Sequence, residues 1–323
     1  MVLERETLLR LYRKMILTRK MEEHHAKLLN EGKMHLMGHF GTGQEAVGVG
    51  IASCLKEEDY LFPTHRGVAE YIGKGMNPKE IFAEYMGKRT GCSKGKGGMH
   101  LADAHVGILG LVGSLGADFS VAVGTALASK LRQDGRVTLC YFGEGTSNQA
   151  DFHPALNMSA LWQLPLVFVC ANNRYTELAH YRETTSTEDI APRAQGYGIK
   201  WEIIEDGNDI ERVYEAASKA VESARSGKGP YFIEFKTYRV ANHFTGDPGT
   251  YRSEEEINEW IPKDPIKRCR FRLLEAGFSE EELTELEQKS GEEVEEAVRL
   301  AFAAPYPEAS ELYTDVYSEE GSR

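Results

Sequence analysis

The segment from Val137 to Tyr175 restricts the fold more than any other part of the 323-residue chain. Val137-Thr138-Leu139-Cys140-Tyr141-Phe142 is a short apolar run rich in β-formers that stops at Gly143-Glu144-Gly145, as a buried strand stops at a turn. Leu156, Ala160, Leu161 and Leu164 keep a helical apolar stripe up to Pro165, and Leu166-Val167-Phe168-Val169-Cys170 forms a second buried run ending at Asn172-Asn173. This is a βαβ unit, and its right-handed crossover makes the two strands parallel. Glu144 and Asn173 therefore emerge at the carboxyl edge of one sheet, where open α/β sheets bind ligands. A carboxylate and an amide oxygen beside glycines suit Mg²⁺ bridging phosphates, because this hard ion keeps octahedral oxygen geometry with few protein ligands. The pattern predicts a metal and a diphosphate.

The same alternation continues on either side. Tyr60-Leu61-Phe62, Trp201 to Ile204 and Tyr231-Phe232-Ile233-Glu234-Phe235 read as strands, and Asp206-Gly207-Asn208-Asp209 caps a helix through Ala224. Glu4 to Asn30 carries Leu8, Leu9, Tyr12, Met15, Ile16 and Met21 at helical spacing between charges, and residues 253–323 are acidic and helical, with Ser279 and Glu282 spaced as a capping box. The expected fold is α/β, a parallel sheet with helices on both faces and helical extensions at each end. We expect one domain over 1–323: a helical extension over 1–40, the α/β core over 41–250 and a C-terminal helical region over 251–323.

A net charge of −12 speaks against a nucleic-acid partner, since phosphate binding needs a basic face. No apolar run approaches the roughly 20 residues that span a bilayer, and Met1-Val2-Leu3 runs into Glu4-Arg5-Glu6 without a signal-peptide pattern. The five cysteines form neither a paired framework nor a CxxC, which fits a reducing compartment; the expected location is cytoplasmic.

Gly143-Glu144-Gly145, Asn148-Gln149, Leu156-Asn157-Met158, Ala160-Leu161-Trp162, Leu164-Pro165 and Asn172-Asn173-Arg174-Tyr175 resemble the thiamine diphosphate motif. The resemblance extends over nearly the whole chain to the alpha subunit of the decarboxylating component of 2-oxo acid dehydrogenase complexes, the pyruvate, branched-chain and acetoin dehydrogenase family. It implies the thiamine diphosphate-binding fold. It also implies that Glu144, the Asn173 amide oxygen and the Tyr175 backbone carbonyl hold Mg²⁺, and that Gly145 and Thr146 touch the diphosphate. The family motif is Gly-Asp-Gly, so Glu144 keeps the charge on a longer arm.

The resemblance assigns further positions. In Thr64-His65-Arg66-Gly67, Arg66 and His65 match cofactor contacts, and the planar fork of Arg66 suits a phosphate. The backbone around Gly113 and Leu115 matches the seat of the aminopyrimidine ring. His39 matches a histidine near the substrate, with a capping or solvated histidine as the plainer reading. His243, after Thr237-Tyr238-Arg239, matches an active-site histidine, and with His65 it is a candidate catalytic proton donor or oxyanion stabiliser. Lys88 to Gly98 is a basic glycine-rich loop, placed by the resemblance at the active-site entrance.

The chain departs from the pattern at Val68, where many members have histidine, at Asp118 and Ser120, at Pro154 and at Asn242. The reaction implied is cleavage of a carbon–carbon bond beside the carbonyl of a 2-oxo acid or acyloin such as acetoin, with transfer of the acyl or aldehyde unit. The implied partners are a beta subunit, which carries the carboxylate that faces the aminopyrimidine, and a lipoyl-bearing acyltransferase. The alternatives are a non-oxidative carboligase subunit, a lapsed cofactor-binding or regulatory subunit, and a nicotinamide-dependent dehydrogenase. The last rests on Gly41-Thr42-Gly43-Gln44-Glu45-Ala46, which fits GxGxxA with Asp59 as a ribose acid; Met34 to Phe40 is a poor strand to precede it.

Overall fold

The computed structural model describes residues 3–110 and 113–315. Its strands are β1 (Tyr60–Phe62), β2 (Thr138–Gly143), β3 (Leu166–Asn172), the short β4 (Tyr175–Thr176) and β5 (Ala179–His180), β6 (Lys200–Ile204) and β7 (Tyr231–Lys236). The central sheet has the order β1-β2-β3-β7-β6 with every neighbouring pair parallel, and β4 and β5 form a separate antiparallel hairpin after β3. The Phe152–Leu161 helix joins β2 to β3, and the two strands run in register from Thr138 opposite Leu166 to Gly143 opposite Ala171. The expected βαβ unit is present.

Alternation of side chains divides the core between the two faces of the sheet. Leu139, Tyr141, Val167, Val169 and Ile233 belong to one apolar cluster, and Cys140, Phe142, Phe168, Cys170 and Phe232 to the other. Because both faces are covered, the strands read as unbroken apolar runs rather than alternating ones. The first cluster takes in the Arg5–Asn30, Glu45–Ala52, Ile210–Arg225 and Glu280–Ala303 helices, and the second takes in Asp118–Arg132 and Phe152–Leu161. The fold is therefore the expected α/β sheet with helices on both faces. Asp209 caps the Ile210–Arg225 helix, and Ser279 and Glu282 form the capping box. Residues 316–323 of the expected C-terminal helical region lie outside the described residues, as do Met1 and Val2.

Four neighbouring strands end at the same edge, and the chain leaving each one carries a buried polar side chain: Arg66 after β1, Glu144 after β2, Asn173 after β3 and Arg239 after β7. The nicotinamide alternative is not matched in the same way. No strand precedes the Glu45–Ala52 helix between residues 31 and 44, and Asp59 is engaged by both terminal nitrogens of Arg225 and by the backbone N–H groups of Val137 and Lys56. Its carboxylate locks a loop to a helix and is not free to hold a ribose.

Among the described residues no helix is long and apolar enough to cross a membrane, and all five cysteines are free thiols.

Candidate functional site

Glu144 opens a 3-10 turn after β2 and is 1% exposed. Its Oε2 accepts the backbone N–H of Asn173 at 3.1 Å, while its buried Oε1 has no hydrogen-bond partner. Burial pushes the Glu144 carboxyl up to about 7, against the opposing pull of that N–H and of Arg239 and Arg66. The Asn173 side chain is fixed at both ends: Nδ2 donates to Gln44 Oε1 at 3.2 Å, and Oδ1 accepts the Tyr175 N–H at 3.1 Å. Tyr175 is held in turn by its hydroxyl, which donates to Glu256 at 2.7 Å. Gly145 is confined by the β4–β5 hairpin, since a Cβ there would come within 2.5 Å of the Thr176 side chain. The hairpin thus closes onto the turn that carries Glu144.

The second half of the site is cationic. Arg66 is 7% exposed and Arg239 1%. Arg66 donates to the Phe40 carbonyl at 2.9 Å and to His243 Nδ1 at 3.0 Å. Arg239 donates to the same Nδ1 at 3.3 Å, to the Glu177 carbonyl and to the Tyr251 hydroxyl. Neither guanidinium forms an ion pair among the described residues, and burial, with Arg239 nearby, drives Arg66 down to about 9. A guanidinium can only donate, so His243 must present a lone pair on Nδ1 and carry its proton on Nε2. Burial and the two arginines hold His243 down at about 4. It is thus a neutral N–H donor near neutral pH rather than a group that titrates there.

His39 and His65 complete a cluster with His243, at ring-centroid separations of 5.2, 5.3 and 6.1 Å. His39 is pushed down to about 4 and His65 well below the usual imidazole value, chiefly by burial and then by Arg66. Both ring nitrogens of His65 and Nδ1 of His39 are buried without a partner.

Two cavities adjoin at this edge. Gly41, Gln44, Arg66, Glu70 and Asn173 line one, and Leu115, Gly116, Asp118 and Thr146 line the other; Thr64, His65, Tyr141 and Gly143 face both. Leu115 is 38% exposed, and a Cβ on Gly113 would touch the His100 ring at 3.4 Å. Val68 faces the apolar core, so the histidine expected there has no side-chain equivalent at that position.

Comparison with known proteins gives the family. A family model described as "Dehydrogenase E1 component" matches residues 12–310. The chain belongs to this E1 family. It is 41% identical over 317 residues to the alpha subunit of acetoin:2,6-dichlorophenolindophenol oxidoreductase from Bacillus subtilis, covering 98% of this chain and 95% of the relative. The corresponding subunit from Cupriavidus necator is 39% identical over 98% of this chain and 95% of its own length. The pyruvate dehydrogenase E1 component subunit alpha of Porphyra purpurea is 37% identical over 98% of this chain and 94% of its own length.

The residues of this E1 chain fit a metal-bound anion. The buried, unpartnered Glu144 Oε1 needs a cation or a proton, and two buried guanidinium groups without carboxylates need an anion. Among the described residues no group of three His, Cys, Asp or Glu is placed to hold a metal, so such a site rests on one carboxylate and neutral oxygens, a set that suits hydrated Mg²⁺. Arg239 and Gln44 are the members that sequence reasoning passed over. Both lie inside stretches that the sequence singles out for other residues, Thr237-Tyr238-Arg239 before His243 and Gly41 to Ala46 for its glycines, and only the fold shows that they reach His243 and Asn173.

Proposed function

We propose that this chain is the alpha subunit of a thiamine diphosphate-dependent 2-oxo acid or acetoin dehydrogenase. The observation that carries the reading is the unpartnered Glu144 Oε1 beside Asn173, set against the unpaired guanidinium groups of Arg66 and Arg239. Glu144, the Asn173 Oδ1 and the Tyr175 carbonyl hold Mg²⁺. Arg66, Arg239, Gly145 and Thr146 receive the diphosphate, and the backbone near Gly113 and Leu115 seats the aminopyrimidine. When bound, thiamine diphosphate supplies the carbanion chemistry that breaks the bond beside a carbonyl.

The chain's own contribution is positional and electrostatic. His243, held by two arginines on Nδ1, offers its Nε2–H as a hydrogen-bond donor, and His65 is a second neutral imidazole beside it. His39 stands 5.3 Å from His243, ring to ring, and borders the substrate. The departures at Val68 and Glu144 leave this polar set intact, which favours a working site over a lapsed one.

The substrate is a 2-oxo acid or acyloin. The partners are a beta subunit in a heterotetramer and a lipoyl-bearing acyltransferase as acceptor. The first apolar cluster, which runs from the Arg5–Asn30 helix through the sheet to Glu280–Ala303, supports a single domain over 1–323. Five free thiols support a cytoplasmic, reducing location. The test is a substrate panel on the alpha–beta complex, loaded with thiamine diphosphate and Mg²⁺ and read with an artificial electron acceptor. Turnover of pyruvate, branched 2-oxo acids or acetoin is expected; loaded complex that oxidises none of them would overturn the reading.

A further inference from the structure

Glu70 lies on the Val68–Lys74 helix, is 1% exposed, and lines the cavity that also holds Gln44, Arg66 and Asn173. Its Oε1 accepts from the Thr64 hydroxyl at 3.1 Å and from the Thr64 N–H at 3.4 Å. Its Oε2 looks across the cavity at Gly48, where a Cβ would lie 3.1 Å away, and the residue's own backbone N–H also serves the carboxyl. Glu70 forms no ion pair among the described residues. A carboxyl buried in this way is either an uncompensated negative charge or a neutral acid, and the neutral acid is the cheaper state.

We propose that Glu70 is a ligand-binding residue of this site: its carboxyl group donates a hydrogen bond, through Oε2, to the anionic group that the cavity holds beside Arg66. The proposal rests on the function proposed above, which makes that group a phosphoryl oxygen. Thr64 supplies two donors to Oε1, so the acid proton belongs on Oε2, the oxygen that faces the cavity. An ionised Glu70 would repel an anion in the same space; a neutral one adds a donor to those of Arg66. The geometry also shows how the helix serves the site despite its valine: Val68 packs into the core while Glu70 turns to the cavity.

The surroundings keep the acid neutral. Burial pushes Glu70 up to about 8, against the opposing pull of its own backbone N–H and of the Thr64 N–H and hydroxyl, with Glu22 of the Arg5–Asn30 helix adding to the rise. Glu22 is itself raised to about 7. The other groups facing it are Arg66 and His65 in the preceding turn, Tyr71 on its own helix, Tyr85 from the Pro78–Tyr85 helix and Tyr141 from β2. All three tyrosines are shifted upward by burial and stay neutral.

The test compares the parent with Glu70→Gln and Glu70→Leu in the alpha–beta complex, measuring thiamine diphosphate affinity with Mg²⁺ by calorimetry at about pH 7 and about pH 9. Melting temperature checks that each variant folds. Gln keeps a neutral donor, so its affinity should match the parent at the lower pH and fall less than the parent's at the higher, where the loss of Arg66 charge weakens both and the ionised Glu70 costs the parent about a further tenfold. Leu should bind about tenfold more weakly than the parent at the lower pH. A Leu variant that binds like the parent, or a Gln variant as weak as Leu, would overturn the role of Glu70 while leaving the cofactor reading intact. A parent complex that binds no thiamine diphosphate would overturn both.

Discussion

Arg66 and Arg239 share one acceptor, Nδ1 of His243, at 3.0 and 3.3 Å. Two guanidinium groups so close repel each other, and the arrangement persists because each is tied elsewhere, Arg66 to the Phe40 carbonyl and Arg239 to the Glu177 carbonyl and Tyr251. The proposed diphosphate would relieve that repulsion. Arg239→Ala should therefore weaken thiamine diphosphate binding at least about tenfold, and Arg239→Lys should not restore it, because an ammonium cannot reach His243, Glu177 and Tyr251 from one planar fork. Calorimetry on the alpha–beta complex checks this, and affinity equal to the parent in the Ala variant would contradict it.

Removing Glu144 should separate binding from folding. Glu144→Ala deletes a buried, half-partnered carboxyl, so the melting temperature should hold or rise while Mg²⁺-dependent cofactor binding is lost. Glu144→Asp should retain binding, since the charge stays on the same turn. Metal-dependent affinity that survives in the Ala variant would remove Glu144 from the ligand set.

The stretch from Val137 to Tyr175 was legible because buried parallel strands are continuous apolar runs and each ends in its own polar signal. Glu144 and Asn173 were readable for the same reason, as residues that immediately follow strands, and Arg66 as part of the turn that follows β1. Arg239 and Gln44 were not, because their roles depend on β7 lying beside β3 and on a helix start meeting a strand end, contacts between segments 129 residues apart in one case. Glu70 was hidden differently. Its helix is short, and nothing in the string of residues tells that Val68 faces the core and Glu70 the cavity. Asp59 shows the converse, a residue with a functional appearance in a weak motif whose partner Arg225 lies in a distant helix.

That pair gives a pH-dependent prediction. Asp59 has a fully buried side chain against a 14% exposed Arg225, at 2.6 Å. Burial pushes the Asp59 carboxyl up, but the Arg225 hydrogen bonds and the Val137 and Lys56 N–H groups outweigh it and hold it below the ordinary 3.8. With a depressed folded value, the stabilisation is complete above the ordinary carboxylate pKa and is lost as pH falls through the folded one. Asp59→Asn should cost about 3 kcal/mol near neutral pH, and the gap should narrow only below about pH 4. Urea unfolding across that range is the measurement; a gap that shrinks already near pH 6 would point to another group.

Glu84 should control the basic glycine-rich loop over Lys88 to Gly98. Its carboxylate accepts backbone N–H groups from Ser93 at 2.8 Å, Gly95 at 2.9 Å and Gly97 at 2.6 Å, gathering a segment that otherwise has little core of its own. Glu84→Ala should raise amide exchange in residues 91–98 by at least about tenfold, with a stability loss of roughly 2 kcal/mol. Exchange unchanged in that loop would show that the glycine-rich backbone holds itself.

Assembly supplies the last prediction. Ala122, Val123 and Ala126 of the Asp118–Arg132 helix are buried against the sheet, whereas Val121 is 50% and Leu131 76% exposed, and a Cβ on Gly124 would meet nothing within 4 Å. At the end of the neighbouring Phe152–Leu161 helix, Leu161 is 71% and Trp162 36% exposed, and Lys130 donates to the Trp162 carbonyl, which joins the two helix ends. One helix therefore has an apolar inner face and a second outer one with small residues between, a surface that lets another helix approach closely. The proposed beta subunit is the expected partner for this surface. Val121→Asp should leave the isolated chain folded, yet weaken its assembly with the beta subunit by about tenfold or more and lower activity in proportion, with excess beta subunit restoring turnover. Sedimentation of the mixed subunits distinguishes the outcomes. Parent-like assembly by Val121→Asp and by Leu131→Asp would place the subunit contact on another face.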